Sequence, residues 1–141
     1  NLALFVVTAC RNVRAIYLDL KERGDFLKSH IIQALAIETA EAYAEYLHGF
    51  LRAQWGFPVD PKLSMTERFQ AKYHGKRYSF GYPACPRMED QRPLFDLLKP
   101  EEINVELTEG FMMEPEASVS AMVFHHPQAQ YFSVGNSPTT S

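Results

Sequence analysis

A proline-stiffened segment separates the mostly helical part of this chain from its mostly strand-like part: Arg77-Tyr78-Ser79-Phe80-Gly81-Tyr82-Pro83-Ala84-Cys85-Pro86. The arginine offers a planar fork of parallel donors, which suits a carboxylate or a phosphate. Gly81 has no side chain, so a ligand or another backbone can approach closely. Pro83 and Pro86 fix their own φ angles and favour extended conformations before them. We therefore expect irregular chain with free backbone amides beside a cation, either a wall for a small zwitterionic ligand or a surface loop with a solvated arginine.

Helical patterns dominate the chain before this segment, after one apolar, β-branched strand at Leu2–Thr8. Apolar residues at helical spacing predict a helix over Arg11–Arg23, which Gly24 ends. Asp25 is placed to cap a long second helix that runs to about Trp55. The apolar stripe predicted for that helix is Ile32, Ala36, Ala40, Tyr43, Leu47 and Phe50.

Shorter elements complete the prediction. The capping-box spacing of Ser64 and Glu67 predicts a short helix through Tyr73, and a further helix is expected over Glu89–Leu98, with Leu94, Leu97 and Leu98 facing inward. The β-rich segments that follow are Val105–Met113, Ser118–His125 and Tyr131–Val134, the first two forming a hairpin that turns at Glu114-Pro115-Glu116.

Helices first and antiparallel strands later indicate an α+β fold, in which long helices pack on an antiparallel sheet. One folded unit is expected over 1–135, and the small, polar residues 136–141 are expected to form a flexible tail. Because the chain opens at Asn1 on a strand pattern, we expect it to be part of something larger.

Composition narrows the function. The 141 residues carry a formal net charge of -3 and no long basic run, so we expect no nucleic-acid partner. The opening apolar run is too short to cross a bilayer, and we expect no membrane association. Cys10 and Cys85 make neither a disulfide framework nor a paired metal-ligand motif, so we interpret them as reduced, buried thiols of a cytoplasmic protein.

Acidic residues recur along one face of the long helix, at Glu38, Glu41 and Glu45, with His48 three residues further on. Glu-x-x-His occurs in carboxylate-bridged metal bundles, but those need a second copy that this chain lacks. A solvated acidic face explains Glu38 and Glu45, and we predict no metal site. Glu41 lies between two alanines, where a carboxylate has room to balance a cationic ligand group.

Other catalytic patterns are missing from the sequence. No Gly-rich phosphate loop, nucleophile elbow or Cys-His pairing occurs, so we expect neither a self-contained hydrolase nor a kinase, and no catalytic residue is predicted. Tyr131 and Phe132 lie on the last predicted strand. Aromatic faces attract fixed cations, although core packing is the commoner use of such residues.

Five stretches, taken together, resemble one known family. They are Ala40-Glu41-Ala42-Tyr43-Ala44-Glu45-Tyr46-Leu47-His48, the segment 77–86, Leu107-Thr108-Glu109, Ala117-Ser118-Val119-Ser120, and Phe124-His125-His126-Pro127 followed by Tyr131-Phe132. They resemble the C-terminal activation domain of cobalamin-dependent methionine synthase, which binds S-adenosylmethionine. The resemblance extends from about Leu2 to Gly135.

This resemblance implies a function. In the family, methyl groups move from methyltetrahydrofolate to homocysteine through cobalamin. When the cobalamin is oxidised to cob(II)alamin, the activation domain docks over the cobalamin-binding domain of the same enzyme. S-adenosylmethionine then supplies a methyl group, and reduced flavodoxin or an equivalent reductase supplies an electron. The chain is thus expected to serve a methyltransferase of methionine biosynthesis without being active alone.

The resemblance also implies site residues for S-adenosylmethionine. The family's arginine falls on Arg77, which is expected to hold the ligand carboxylate, and its Gly-Tyr pair falls on Gly81 and Tyr82, whose backbone lines the ligand. Its helix glutamate matches Glu41, near the charged end of the ligand. Its paired tyrosines match Tyr131 and Phe132, so the second aromatic lacks a hydroxyl.

The sequence departs from the family pattern in three further places. Arg87 stands where an acidic residue is usual, the family's aspartate for the ligand's amino group has no counterpart, and a helix that follows the last strand is expected to be absent. The missing upstream half of the family's domain, which carries that aspartate, and the change to Phe132 keep a second hypothesis open, namely a non-catalytic interaction or assembly domain that retains the fold without binding the ligand.

Overall fold

The computed structural model describes residues 1–9 and 12–134, the side chain of Phe69 excepted. Its helices and strands, in chain order, are β1 (Leu2–Thr8), α1 (Val13–Glu22), α2 (Phe26–Gln54), α3 (Met65–Phe69), β2 (Lys76–Ser79), α4 (Arg92–Leu98), β3 (Glu106–Leu107), β4 (Met113–Glu114) and β5 (Ser118–Phe124). Short 3₁₀ helices cover Met88–Gln91 and Pro100–Ile103. The predicted α+β class is confirmed. The predicted tail, residues 136–141, and Cys10 lie outside the described residues.

The sheet that positions the rest of the molecule has the order β1-β5-β2, with both pairs antiparallel. The central strand β5 is buried on both faces. Val119, Ala121 and Val123 pack with Phe5 and Val7 against α2. A second core, around Phe80, Leu94, Phe95 and Val105, fills the opposite face. The long helix α2 and the short helix α4 therefore lie on opposite faces of the sheet, with β5 between them.

Strand register decides which way β2 presents its side chains. Arg77 pairs with Val123, and Ser79 pairs with Ala121. Directly opposed residues share a face of the sheet, and both of these β5 residues pack toward α2. Arg77 and Ser79 accordingly face α2.

Helix α2 approaches the sheet closely because its contact positions are alanines. Ala40 and Ala44 are fully buried against β5. The buried positions along the whole helix are Ser29, Ala36, Ala40, Ala44, His48 and Arg52. A spacing of four advances about 40° per step around a helix with 3.6 residues per turn, so this buried line winds around α2.

The predicted apolar stripe of α2 is therefore only partly correct. Ala36 and Ala40 are buried, but Tyr43 and Phe50 are exposed because the contact line has moved past them. The helix begins where predicted, yet the Asp25 side chain makes no capping hydrogen bond and pairs with Lys28 instead.

Several predictions for the second half of the chain are wrong. Residues 76–79 form β2 rather than irregular chain, because they pair with β5. Helix α3 has the predicted capping box but ends at Phe69, before Tyr73. Leu94 is buried as predicted, but Leu97 and Leu98 are exposed, because they lie in the last turn of α4, beyond the part of the helix that packs through Leu94 and Phe95.

The predicted hairpin is also wrong. Strand β4 pairs with β3 in a separate two-stranded sheet, whereas β5 pairs with β1 and β2. Asn104 and Phe111 adopt left-handed φ angles of 59°, which break the predicted strand Val105–Met113 at both ends. Residues 131–134 form no strand, and the Val134 amide donates to the carbonyl oxygen of Pro83 at 2.8 Å.

Candidate functional site

Glu41 is the point at which three of the predicted site residues meet. Arg77 Nη2 lies 3.1 Å from Glu41 Oε2, and the Tyr82 hydroxyl donates to Glu41 Oε1 at 2.8 Å. The two charged side chains are 19% and 29% exposed, so their pairing is partly shielded from water. Arg77 Nη1 also donates to Ser79 Oγ at 3.2 Å. A cation and an anion are thus held side by side at the edge of the sheet.

A groove of about 710 Å³ opens beside this ion pair, between α2 and the chain that leads into β2. Its volume lies in the range of about 300–1,000 Å³ that is typical of small-molecule sites. It is lined by Glu38, Glu41, Ala42, Glu45, Arg68, Gln70, Ala71, Tyr73, Lys76, Arg77 and Tyr131. Charged groups of both signs and two tyrosines therefore surround one ligand-sized space.

A second, smaller cavity of about 170 Å³ lies on the other side of Glu41. Tyr82, Ser79 and Ser118 line it, so its wall is partly polar. Glu41 is shared by both spaces, whereas Arg77 lines only the larger one. This volume is below the usual small-molecule range. The groove is the candidate binding site because both members of the Arg77–Glu41 pair line it.

Gly81 stabilises the turn of the loop in which it lies. Its φ is +83°, which strains any residue with a side chain, and a Cβ there would lie 2.7 Å from Met88 Sδ, which would have to move. Its amide donates to the carbonyl oxygen of Cys85 at 2.8 Å, and the Cys85 amide donates to Tyr82 O at 2.8 Å. The free amides predicted for this loop are therefore wrong at these two positions, and Gly81 borders neither cavity.

Tyr131 and Phe132 both lie near the ring of Tyr78. Tyr131 stacks on that ring with centroids 6.0 Å apart, and Phe132 lies 5.9 Å from it. The Tyr78 hydroxyl donates to Gln130 O at 2.6 Å, which anchors the segment. Tyr131 and Phe132 are about half exposed, and Tyr131 lines the groove while Phe132 borders neither cavity.

Sequence reasoning missed a buried polar cluster beneath the groove. Arg52 and His48 are 2% and 1% exposed, and Arg52 Nη1 lies 3.0 Å from His48 Nδ1. The guanidinium lies over the ring of Tyr73 at 3.6 Å, and the Tyr73 hydroxyl donates to Glu45 Oε1 at 2.8 Å. The available signal was the i, i+3, i+7 spacing of Glu45, His48 and Arg52, which places all three on one face of α2.

Protonation states within this cluster follow from its contacts. Burial lowers the pKa of His48, and the neighbouring Arg52 lowers it further. Arg52 Nη1 lies 3.0 Å from Nδ1 and 3.3 Å from Nε2 of His48, and since a guanidinium can only donate, the ring nitrogen that receives its hydrogen carries no proton and the ring is neutral. Burial works to raise the pKa of Glu45, but His48, Tyr73 and Arg52 outweigh it and lower the pKa to about 2. Burial beside Glu45 raises the pKa of Tyr73 to about 12.

These pKa shifts predict acid sensitivity. Below pH 6.5 the unfolded chain protonates His48 while the folded protein does not, so the free energy of unfolding falls. Between about pH 4.5 and pH 2 Glu45 adds a second loss of the same sign. We expect the urea midpoint to be lower at pH 5 than at pH 7.5. The His48→Gln variant should lose part of this dependence, and His30→Gln, an exposed control on the same helix, should keep it. Identical pH profiles for all three proteins would contradict the assignment.

The metal alternative finds no support in the geometry. Within residues 1–9 and 12–134, no three His, Cys, Asp or Glu side chains are arranged to hold a metal ion. Glu45 and His48 are engaged by Arg52 and Tyr73. Over the same residues, no helix combines the length and the apolar character that a membrane span requires.

The fold and the site together define this protein as an α+β domain with a ligand-sized groove. The model of the family "Vitamin B12 dependent methionine synthase, activation domain" matches residues 1–139. The chain belongs to this family, as its sequence motifs indicated.

Named relatives agree with the family assignment. The chain is 38% identical over 116 residues to methionine synthase of Mycobacterium tuberculosis (strain ATCC 25618 / H37Rv) and 37% identical over 116 residues to that of Mycobacterium leprae (strain TN). Each alignment covers 78% of this chain but only 10% and 9% of those proteins. The chain thus matches about a tenth of the length of its curated relatives.

One solved structure supports the fold directly. The crystal structure of the MetH reactivation domain bound to AdoHcy superposes on this chain with a TM-score of 0.85 and a sequence identity of 35%. The match covers 94% of this chain and 41% of the chain in that structure. Its α+β architecture is shared by this chain.

Proposed function

We propose that this chain is an S-adenosylmethionine-binding module that supports the reductive reactivation of cobalamin in methionine synthase, and hence methionine formation from homocysteine. The observation that carries the proposal is the Arg77–Glu41 pair, 3.1 Å apart on the rim of a groove of about 710 Å³. Family membership and the AdoHcy bound to a structural relative support it.

The ion pair matches the amino-acid tail of the ligand in charge. That tail carries a carboxylate and an ammonium group on one carbon. Arg77 supplies a fork for the carboxylate, and Glu41 supplies an anion for the ammonium. Binding exchanges an intramolecular pair for two pairs with the ligand, so neither charge is left unpaired in a partly shielded site.

The remaining wall suits the sulfonium and nucleoside parts of the ligand. Tyr131 and Tyr73 present aromatic surface to the groove, and aromatic faces attract fixed cations. Glu38 and Glu45 add negative charge on the α2 side. Tyr82 stays close to the tail through its bond to Glu41, whereas Gly81 and Phe132 contribute by shaping the loops that frame the site.

The chemistry requires positioning rather than acid–base catalysis. A sulfonium is already an activated leaving group: the S–CH₃ bond breaks, its electron pair stays on sulfur, and S-adenosylhomocysteine remains. Cobalamin, held by a neighbouring domain of the same enzyme and reduced by one electron from flavodoxin or an equivalent reductase, would be the acceptor of the methyl group. This chain's residues bind and orient the methyl donor and exclude water. It is one part of a methyltransferase and not an enzyme by itself.

A second candidate function is a non-catalytic interaction or assembly domain. The observation that favours it is that Arg77, Glu41 and Tyr82 satisfy one another without a ligand. An ion pair of this kind can be purely structural, because partly buried charges are normally paired.

Calorimetric titration separates the two functions. We expect S-adenosylmethionine and S-adenosylhomocysteine to bind saturably at one site in the natural full-length protein, and adenosine, which lacks the charged tail, to bind much more weakly. An absence of saturable heat with the first two ligands would favour the interaction domain.

A further inference from the structure

We propose that Arg52 is a positioning residue for Arg77: through Tyr73 it fixes the turn at residues 71–75 and so sets where the ligand-binding guanidinium lies. The inference rests on the proposed function, since it concerns the same groove. Arg52 does not line that groove, and none of the sequence motifs singled it out.

Arg52 is costly to bury, which argues for a specific role. The side chain is 2% exposed, and among the described residues its Nε has no hydrogen-bond partner. Its nearest carboxylate is Glu45, at 3.6 Å from Nη2. A buried charge in such a setting rarely adds net stability over an apolar side chain of similar size. What this guanidinium does provide is a flat, fixed surface for the ring of Tyr73, 3.6 Å from Cζ.

The turn that Arg52 contacts has an unusual backbone. Ala71 has a φ of 49° and Gly75 a φ of 82°, so both ends of the turn are left-handed. Arg52 Cδ lies 3.7 Å from the position that a Cβ would take on Gly75. Tyr73, in the middle of the turn, is held by its ring against Arg52 and by its hydroxyl on Glu45. Two contacts from α2 thus fix a segment whose conformation is locally unfavourable.

Lys76 secures the same turn from the sheet side. Its Nζ donates to the carbonyl oxygens of Ala71 at 2.7 Å and Tyr73 at 3.1 Å. Strand β2 begins at this lysine, and Arg77 is the next residue. A rigid connection therefore runs from Arg52 through Tyr73 and Lys76 to Arg77.

The geometry of the connection matters because Arg77 must meet a planar partner. A bidentate arginine–carboxylate contact tolerates little displacement, and a site performs well only when its supporting residues are locked. Tyr73, Lys76 and Arg77 all line the groove, so movement of the turn changes the direction of the fork within the binding site.

The test compares two ligands that differ only at the tail. S-adenosylmethionine carries the carboxylate, and decarboxylated S-adenosylmethionine keeps the sulfonium and the amine without it. In the natural full-length protein, Arg52→Met should weaken binding of the first by about tenfold, a coupling typical of residues in one contact network. Binding of the second should change little. In an Arg77→Ala background, Arg52→Met should cause no further loss.

Control variants keep the result interpretable. Tyr73→Phe removes the hydrogen bond to Glu45 but leaves the ring on Arg52. It should also weaken binding of S-adenosylmethionine more than that of the decarboxylated ligand, by a smaller amount than Arg52→Met does. This variant serves as the test if Arg52→Met fails to fold. Arg23→Met, on the exposed end of α1, should bind both ligands normally.

Three results would overturn the inference. These are full affinity for S-adenosylmethionine in folded Arg52→Met and Tyr73→Phe, an equal loss for both ligands, and a loss that adds fully to that of Arg77→Ala. If the unmodified protein does not bind S-adenosylmethionine, the proposed function itself fails, and the inference fails with it. If it binds and depends on Arg77 but not on Arg52 or Tyr73, only the inference fails.

Discussion

Replacing Arg77 by alanine is expected to weaken S-adenosylmethionine binding by about 2–5 kcal/mol, the usual cost of truncating one partner of a shielded charge pair. That corresponds to a loss in affinity of about 30-fold or more. The loss arises because the tail carboxylate loses its fork in a site where the arginine side chain is only 19% exposed.

Calorimetry with matched variants measures the effect of Arg77. Arg77→Lys keeps the charge but not the planar fork, so its affinity should fall between those of the natural protein and Arg77→Ala. Arg23→Ala removes an exposed arginine that pairs with Asp19 and should bind normally. Unchanged affinity in Arg77→Ala would remove the central support for the proposed function.

Glu41→Gln is the second substitution with a large expected effect, about 2 kcal/mol or roughly 30-fold in affinity. It removes a negative charge and preserves the size of the side chain, so the ammonium group of the ligand loses its counter-ion. The same change frees Arg77 from its intramolecular partner. The variant should therefore bind S-adenosylmethionine weakly yet bind a deaminated analogue, which has no ammonium group, at least as well as the natural protein does.

The measurement for Glu41 is therefore the affinity of Glu41→Gln for S-adenosylmethionine, which should fall, and for the deaminated analogue, which should not. Glu22→Gln, at the exposed end of α1, is the control and should affect neither ligand. A parallel loss of both ligands in Glu41→Gln would instead indicate that Glu41 acts only by holding Arg77 and Tyr82 in place.

Sequence patterns predicted the elements that depend on local chemistry. Strand β1, the long helix α2 and the capping box of α3 are all where the sequence placed them. The family resemblance also selected Glu41, Arg77 and Tyr82, and both Arg77 and Tyr82 donate a hydrogen bond to Glu41. Their separation of 36 to 41 residues along the chain gives no local signal of that contact.

The features that sequence reasoning missed depend on contacts between distant segments. Strand β2 is short and carries an arginine, and its identity as a strand comes from pairing with β5. The buried line of α2 includes His48 and Arg52 in place of apolar residues, which no apolar periodicity can reveal. Tyr73 completes their cluster from a turn with left-handed ends. In each case tertiary structure overrides the local preference.

Side chains along β2 alternate between the two faces of the sheet, so the register of its antiparallel pairing with β5 decides which face Arg77 occupies. Arg77 faces α2 because it stands opposite Val123, and a slip of one residue between the two strands would send its guanidinium to the α4 side of the sheet. A change in the length of the loops between the strands does not alter the face of the sheet that Arg77 occupies. A shift by two residues would restore the facing but move Arg77 by about 7 Å along the strand, away from Glu41. Recognition of a charged ligand is thereby tied to one alignment of two neighbouring strands.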